Sequence, residues 1–192
     1  MIAGRHENRA PRRIPPHLFL IALLLAAGLV LPATGQTTPL HVGDDLPQIS
    51  GQTLSGKQLT LPADAAGKPG VVSFSFSKAG GKDSGLWSDH VEKDFPAVGH
   101  PYTLMMIEAA PKFVRGMIIS GSKKGMSPAA QDRCIAMEKD EDIWKQRIGF
   151  IKDDRAYVFL LGPDGRIRWR SSGAFTDAEY AALKKELSQM HP

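Results

Sequence analysis

The sequence holds one thiol, Cys134. A single cysteine rules out an intramolecular disulfide, a Cys-x-x-Cys dithiol and a multi-cysteine zinc site. It leaves two readings. A lone thiol can act as a one-cysteine peroxidase, or exchange disulfides with a second protein's thiol, where something stabilises the thiolate. Alternatively, Ala130, Cys134 and Met137 are spaced as one apolar stripe of a helix that begins at Ser127-Pro128. A cysteine on such a stripe behaves as a small hydrophobe and its pKa rises. The neighbouring Arg133 points elsewhere on that helix and does not activate the thiol. The stripe favours the structural reading.

Other polar groups could bind rather than react. Gly80-Gly81-Lys82-Asp83-Ser84 invites a phosphate-loop reading, because amides at a helix N-terminus with nearby lysines attract anions. The full pattern needs Gly at 76 and Ser or Thr at 83, where Phe76 and Asp83 stand. The segment therefore reads as a solvated loop. Lys78, Lys82, Ser84, Arg155 and Arg168 are the candidates for contact with an anion or partner. Asp140-Glu141-Asp142 and Asp153-Asp154 lack calcium-loop spacing. His41, His90, His100 and His191 show no His-Glu-x-x-His arrangement. No Ser-His-acid grouping can be assigned. Neither metal nor cofactor is expected.

The elements that must position these groups are legible in part. Leu46 to Leu61, with glycines at 51 and 56, reads as an edge hairpin. Val71 to Phe76 alternates Val72, Phe74 and Phe76 with Val71, Ser73 and Ser75, the pattern of a central strand whose small-residue side lies close under a helix. A Gly-, Lys- and Ser-rich loop from Ser77 to Gly85 should follow. Trp87, Val91 and Phe95 then mark a short helix ended by Pro96. Thr103 to Ala109 reads as a strand, Phe113 to Ile119 as a helix, and Gly121 to Gly125 as an exposed basic loop. Ile143 to Ile148 carries a further helix. Tyr157 to Leu161 and Ile167 to Trp169 flank an Asp164-Gly165 turn and form the clearest hairpin. Trp169 should enter the core, with Arg168 and Arg170 as an exposed basic edge. Thr176 and Glu179 form a capping box, with Phe175 and Tyr180 as a staple, for the last helix.

This order of hairpin, strand, helix, strand, helices, hairpin and helix resembles thioredoxin-like and peroxiredoxin-like domains over roughly residues 42–190. The resemblance implies an α/β three-layer sandwich, a mixed central sheet with helices on both faces. In that family the redox site lies between the first central strand and its helix. Here Ser77 to Ser84 occupies that place without sulfur. The family's cis-proline before the terminal hairpin is replaced by Asp153-Asp154-Arg155-Ala156. Dithiol exchange and peroxidase chemistry are thus not expected.

A more specific resemblance lies at the C-terminal end. Tyr157 to Trp169, with Ile167-Arg168-Trp169, Ser172-Gly173, Thr176 and Glu179, is similar to a mitochondrial ATP synthase assembly-factor family, ATPase complex subunit ten, whose members lack the redox cysteines. Residues 113–148 resemble that family's enlarged middle region. The resemblance implies a non-catalytic chaperone that holds a membrane protein during assembly. Those factors act on the matrix side.

The N-terminal residues point to another compartment. Arg5, Arg9, Arg12 and Arg13 precede a 14-residue apolar run, Leu18 to Leu31, followed by Pro32-Ala33-Thr34-Gly35. This is the layout of a secretory signal peptide. We place the boundary at residues 1–35, with a thioredoxin-like domain over 36–192 in the periplasm or another extracytoplasmic space. The run is shorter than the roughly 20 residues of a membrane span, so an uncleaved N-terminal anchor is the lesser alternative. Twin-arginine and lipoprotein signals lack their remaining features, and the sortase-like Leu31-Pro32-Ala33-Thr34-Gly35 lies at the wrong end. Of 24 Lys+Arg and 20 Asp+Glu, the leader holds four arginines and Glu7, leaving 20 basic and 19 acidic residues. A nucleic-acid partner is not expected. A protein partner, in a membrane or envelope complex, is.

Overall fold

A strand whose every residue is buried must hide its polar backbone in a sheet, and Gly70–Ser75 (β3) does so at the centre of one. The computed structural model describes residues 38–98 and 101–190. The expected leader, with His100 and His191, lies outside them. Before β3, Ile49–Gln52 (β1) and Gln58–Leu61 (β2) pair antiparallel, Ile49 opposite Leu61, as the expected hairpin. It stands as a separate two-stranded sheet. A cis peptide links Leu61 to Pro62.

Beyond β3 come helix α1 (Lys78–Asp94), β4 (Tyr102–Met106), α2 (Lys112–Lys124), the one-turn α3 (Pro128–Gln131) and β5 (Cys134–Met137). Helix α4 (Glu141–Ile148), the hairpin β6 (Tyr157–Leu161) and β7 (Ile167–Ser171), and α5 (Asp177–Met190) complete the chain. The main sheet has the order β5-β4-β3-β6-β7. Strands β3, β4 and β5 run parallel; β6 is antiparallel to both β3 and β7. This is the expected mixed sheet with cover on both faces. No helix among the described residues is long and apolar enough to cross a membrane.

The two sides of β3 behave as their residue types require. Val72 and Phe74, with Phe76 beyond the strand, join the larger core with Leu104, Trp144, Ile148 and Phe159, covered by the hairpin and α4. Val71 packs on the other face with Trp87 and Val91 of α1 and Leu183 and Leu187 of α5. Ser73 lets α1 approach, and its hydroxyl lies 2.6 Å from that of Ser84. At the C-terminal end the Thr176 half of the expected capping box forms, with Glu179 N–H donating to Thr176 Oγ1 at 3.2 Å, and the Phe175 and Tyr180 rings are 5.8 Å apart.

Four expectations change. Ser77 to Gly85 is not a loop but the N-cap and first turns of α1, with Ser77 Oγ accepting from Gly80 N–H at 3.1 Å. The residues at 121–124 extend α2 instead of forming a basic loop. Cys134 lies in a strand: the helix opened by Ser127 ends at Gln131, and Cys134 pairs with Thr103. Three residues apart on a strand, Cys134 and Met137 enter opposite faces and different clusters. Arg170 is no exposed edge either. Its guanidinium donates to the carbonyls of Leu40 and Ile148 and lies 5.4 Å from the Phe159 ring centroid. Desolvation lowers its pKa.

Asp83 is the polar tie between these layers. Its carboxylate accepts from Ala156 N–H at 2.9 Å and from Phe175 N–H at 2.8 Å. Removing a charged acceptor strands two donors, and each such loss costs on the order of 1–3 kcal/mol. Asp83→Ala is therefore expected to lower stability by about 2–4 kcal/mol, with Asp83→Asn intermediate. Urea unfolding midpoints check this; an Asp83→Ala midpoint equal to wild type would refute it.

Candidate functional site

The carboxyl ends of β3 and β4 and the N-terminus of α1 converge on one edge of the sheet. In a thiol-dependent domain of this architecture the reactive sulfur would sit here. Ser77 Oγ caps the Gly80 amide of α1 and also donates to Asp153 O at 2.5 Å. A Cβ at Gly80 would come within 2.8 Å of Arg155 O and 2.9 Å of Asp153 O. Only glycine lets the 153–155 segment lie this close to the helix, and the segment closes the place against a nucleophile.

Beside that closed end is an open cleft of about 500 Å³. Its floor is aromatic. Phe76 and Phe150 meet edge-on at 4.9 Å, and Phe150 stacks on Tyr157 at 5.7 Å. The Tyr157 hydroxyl accepts from the N–H groups of Ile151 and Lys152, at 2.7 and 2.9 Å, and donates to Lys152 O at 2.8 Å. That clasp fixes the rim and leaves the Ile151 side chain 62% exposed.

A charged pair crosses the floor. Glu141 is buried and accepts from Ala109 N–H at 3.1 Å, while its other oxygen lies 2.7 Å from Lys145 Nζ, one helical turn along α4. Lys145 in turn lies 5.2 Å from the Phe150 ring centroid and 5.7 Å from that of Phe76. The cleft offers apolar surface, a cation and a paired carboxylate, the features of a recognition site. Its lining holds no cysteine, serine, threonine or histidine, and no cluster of three His, Cys, Asp or Glu among the described residues could hold a metal.

The residues singled out from the sequence do not form one site. Lys78 and Lys82 are exposed one turn apart at the start of α1. Arg155 is half-buried, with its Nε 2.8 Å from Asp154 Oδ1; this bond holds the Asp154 carboxyl below its ordinary pKa and raises that of the guanidinium. Ser84 faces β3, 2% exposed, and so is unavailable to a partner. Arg168 belongs to the opposite end of the sheet, where it pairs with Asp164 at 2.6 Å across the β6–β7 turn. Sequence reasoning missed Phe76, Lys145, Phe150 and Ile151 as one site. Only the four-residue spacing of Glu141 and Lys145 was visible in advance.

Cys134 is remote from the cleft. It packs with Leu54, Met105 and Ile107, and Ile119 and Met126 lie against that cluster. Leu54 N–H donates to Cys134 O at 2.8 Å and seals the strand edge over it. Burial pushes the thiol from an ordinary 9.0 up to about 12.

The sequence profile described as ATP10 protein matches residues 45–190. No curated protein matches the chain. Similar solved structures include the thioredoxin domain of a thiol-disulfide oxidoreductase from Bacteroides vulgatus, with a TM-score of 0.56 and 20% identity over 77% of this chain and 99% of that one. A thiol peroxidase from Chromobacterium violaceum superposes with a TM-score of 0.54 at 13% identity, covering 79% of this chain and 87% of its own. The exposed lipoprotein thioredoxin of Streptococcus pneumoniae gives 0.53 at 14% identity, with 73% and 99% covered. At these identities the likeness establishes the thioredoxin-like fold.

The buried thiol makes two measurable demands. Alkylation of folded protein near neutral pH should run on the order of a thousandfold slower than in denaturant, because burial keeps the thiol protonated. A rate near the denatured reference would return Cys134 to thiol chemistry. The folded state also keeps a proton that the unfolded thiol releases. Stability held below the ordinary thiol pKa is thus lost as pH rises toward 12. Cys134→Ala should flatten that alkaline decline, read as urea midpoints along a pH series.

Proposed function

Because the chain belongs to the ATP10 protein family, we propose that it is an assembly factor for ATP synthase that works by binding and not by thiol chemistry. The observation that carries the redox-inactive part is the closed end of α1. Ser77 and Asp83 are committed to backbone groups, Gly80 abuts two carbonyls, and the sole cysteine is buried elsewhere. Export to an extracytoplasmic space is a second part of the proposal, supported by the arginines before the Leu18–Leu31 run and the small residues after it.

The client-binding surface is the aromatic cleft with its basic margin. An unfolded or half-assembled subunit exposes apolar side chains that later become buried, and Phe76, Phe150 and Ile151 offer them temporary cover. Lys78 and Lys82, which form no ion pair with any described residue, would hold a carboxylate on the same segment. Lys145, held between Glu141 and two rings, fixes the orientation of an aromatic or acidic group entering from solvent.

Deletion of the gene in its host should lower the amount of assembled ATP synthase on native gels. Cys134→Ser should restore it fully. Ile151→Asp and Lys145→Glu should bind client about five- to thirtyfold more weakly, the usual scale for a central interface contact, and restore it poorly. Full assembly without the gene removes the ATP synthase role. Rescue that depends on Cys134 removes the binding-only role. Recovery of the protein solely from the cytoplasm removes export.

A further inference from the structure

Helix α2 has no buried residue, whereas α1, α3, α4 and α5 each bury at least one. It is held by Ile119, which packs beside the Met105 and Cys134 cluster, and by Arg115, whose Nε donates to Ala110 O at 2.9 Å and whose Nη1 lies 3.3 Å from the Glu138 carboxylate. Its outer side holds apolar residues: Phe113 is 86% exposed and Met117, one turn on, 71%. Gly116, Ser120 and Gly121 leave these two side chains standing clear as a ridge.

The charge of α2 has one sign. From Lys112 to Lys124 the helix carries four basic residues and no acidic one. Lys112, Lys123 and Lys124 form no ion pair with any described residue. Lys123 and Lys124 suit the negative end of the helix dipole, which explains them without a ligand. Lys112 does not fit that account, because it sits at the positive end, and the N-cap Pro111 gives no side-chain hydrogen bond. A cation at both ends of an exposed apolar line matches a surface that is apolar within and anionic throughout its outer layer.

We propose that α2 docks in the plane of an anionic phospholipid membrane, with Phe113 and Met117 in the acyl boundary and Lys112, Lys123 and Lys124 on headgroup phosphates. A second copy is a poorer occupant: antiparallel pairing of two α2 ridges sets Lys112 of one against Lys123 and Lys124 of the other. A concave protein groove would need acidic groups at both ends. The membrane supplies negative charge everywhere along the helix. This inference is independent of the client and of the cleft.

The test uses the full chain and a readout local to α2, since the N-terminal apolar run can itself bring the protein to a bilayer. Met117→Cys takes an environment-sensitive fluorophore while the buried Cys134 stays unlabelled. Unchanged circular dichroism and urea midpoint establish its fold. Equimolar phosphatidylcholine and phosphatidylglycerol vesicles should blue-shift the label and expose it to quenching by brominated lipid; pure phosphatidylcholine should not. Paired Lys123→Glu and Lys124→Glu should raise the lipid concentration needed about tenfold or more. Lys112→Glu should also weaken docking although it suits the helix dipole, an opposition that a purely structural lysine would not show.

Four results overturn the proposal. The label can stay in water on vesicle-bound protein. It can shift equally on uncharged vesicles. It can be shielded without lipid as protein concentration rises, which means a second copy. It can be shielded only by an added client subunit, which means a protein interface.

Discussion

A single buried carboxylate sets the relation between the helix that follows the central strand and the C-terminal half of the chain. Asp83 reaches from α1 to the amides of Ala156 and Phe175, one at the start of β6 and one just before α5. Both donors would otherwise end their strand or loop without an acceptor. With them fixed, Asp153 and Arg155 lie against Gly80, and the Tyr157 ring is set beneath Phe76 and Phe150. The cleft therefore depends on a polar contact on the far side of the sheet edge from its own lining.

The same constraint explains how a thioredoxin-like frame hosts a site of a different kind. A reactive thiolate needs free amides at the helix N-terminus and an open approach. In this chain the Gly80 amide is capped by Ser77 and the Asp153 and Arg155 carbonyls crowd the helix start. Apolar and aromatic surface lies one step away, at the carboxyl ends of β3 and β4, where open α/β sheets commonly place their ligands. The sulfur has the opposite role, packed from the edge strand β5 against Leu54, Met105 and Ile107.

Alternation in Val71 to Phe76, the Asp164-Gly165 turn and the Thr176 cap were legible because each depends on residues close in sequence. The first turns of α1 were not, because Gly80, Gly81 and Gly85 imitate a loop; at Gly80 the glycine answers to a carbonyl 75 positions away in the Arg155 backbone. Cys134 was misplaced because a four-residue apolar interval suits a helix, whereas pairing with β4 decided its conformation. The cleft eluded the sequence for a related reason. Phe76, Lys145 and Phe150 come from a strand end, a helix and a loop, and only tertiary packing makes them neighbours. The two partners of Asp83 lie 73 and 92 positions distant.

Arg170 bears on how the domain resists mechanical load. Leu40, near the start of the described residues, donates its N–H to Arg147 O at 2.7 Å and gives its carbonyl to the Arg170 guanidinium, which also holds Ile148 O. A pull on the chain upstream of Leu40 is thereby shared at once between β7 and the C-terminal turn of α4. The segment at Leu40 does not peel away alone. The domain yields from that end only after an edge strand and a helix terminus have given way together.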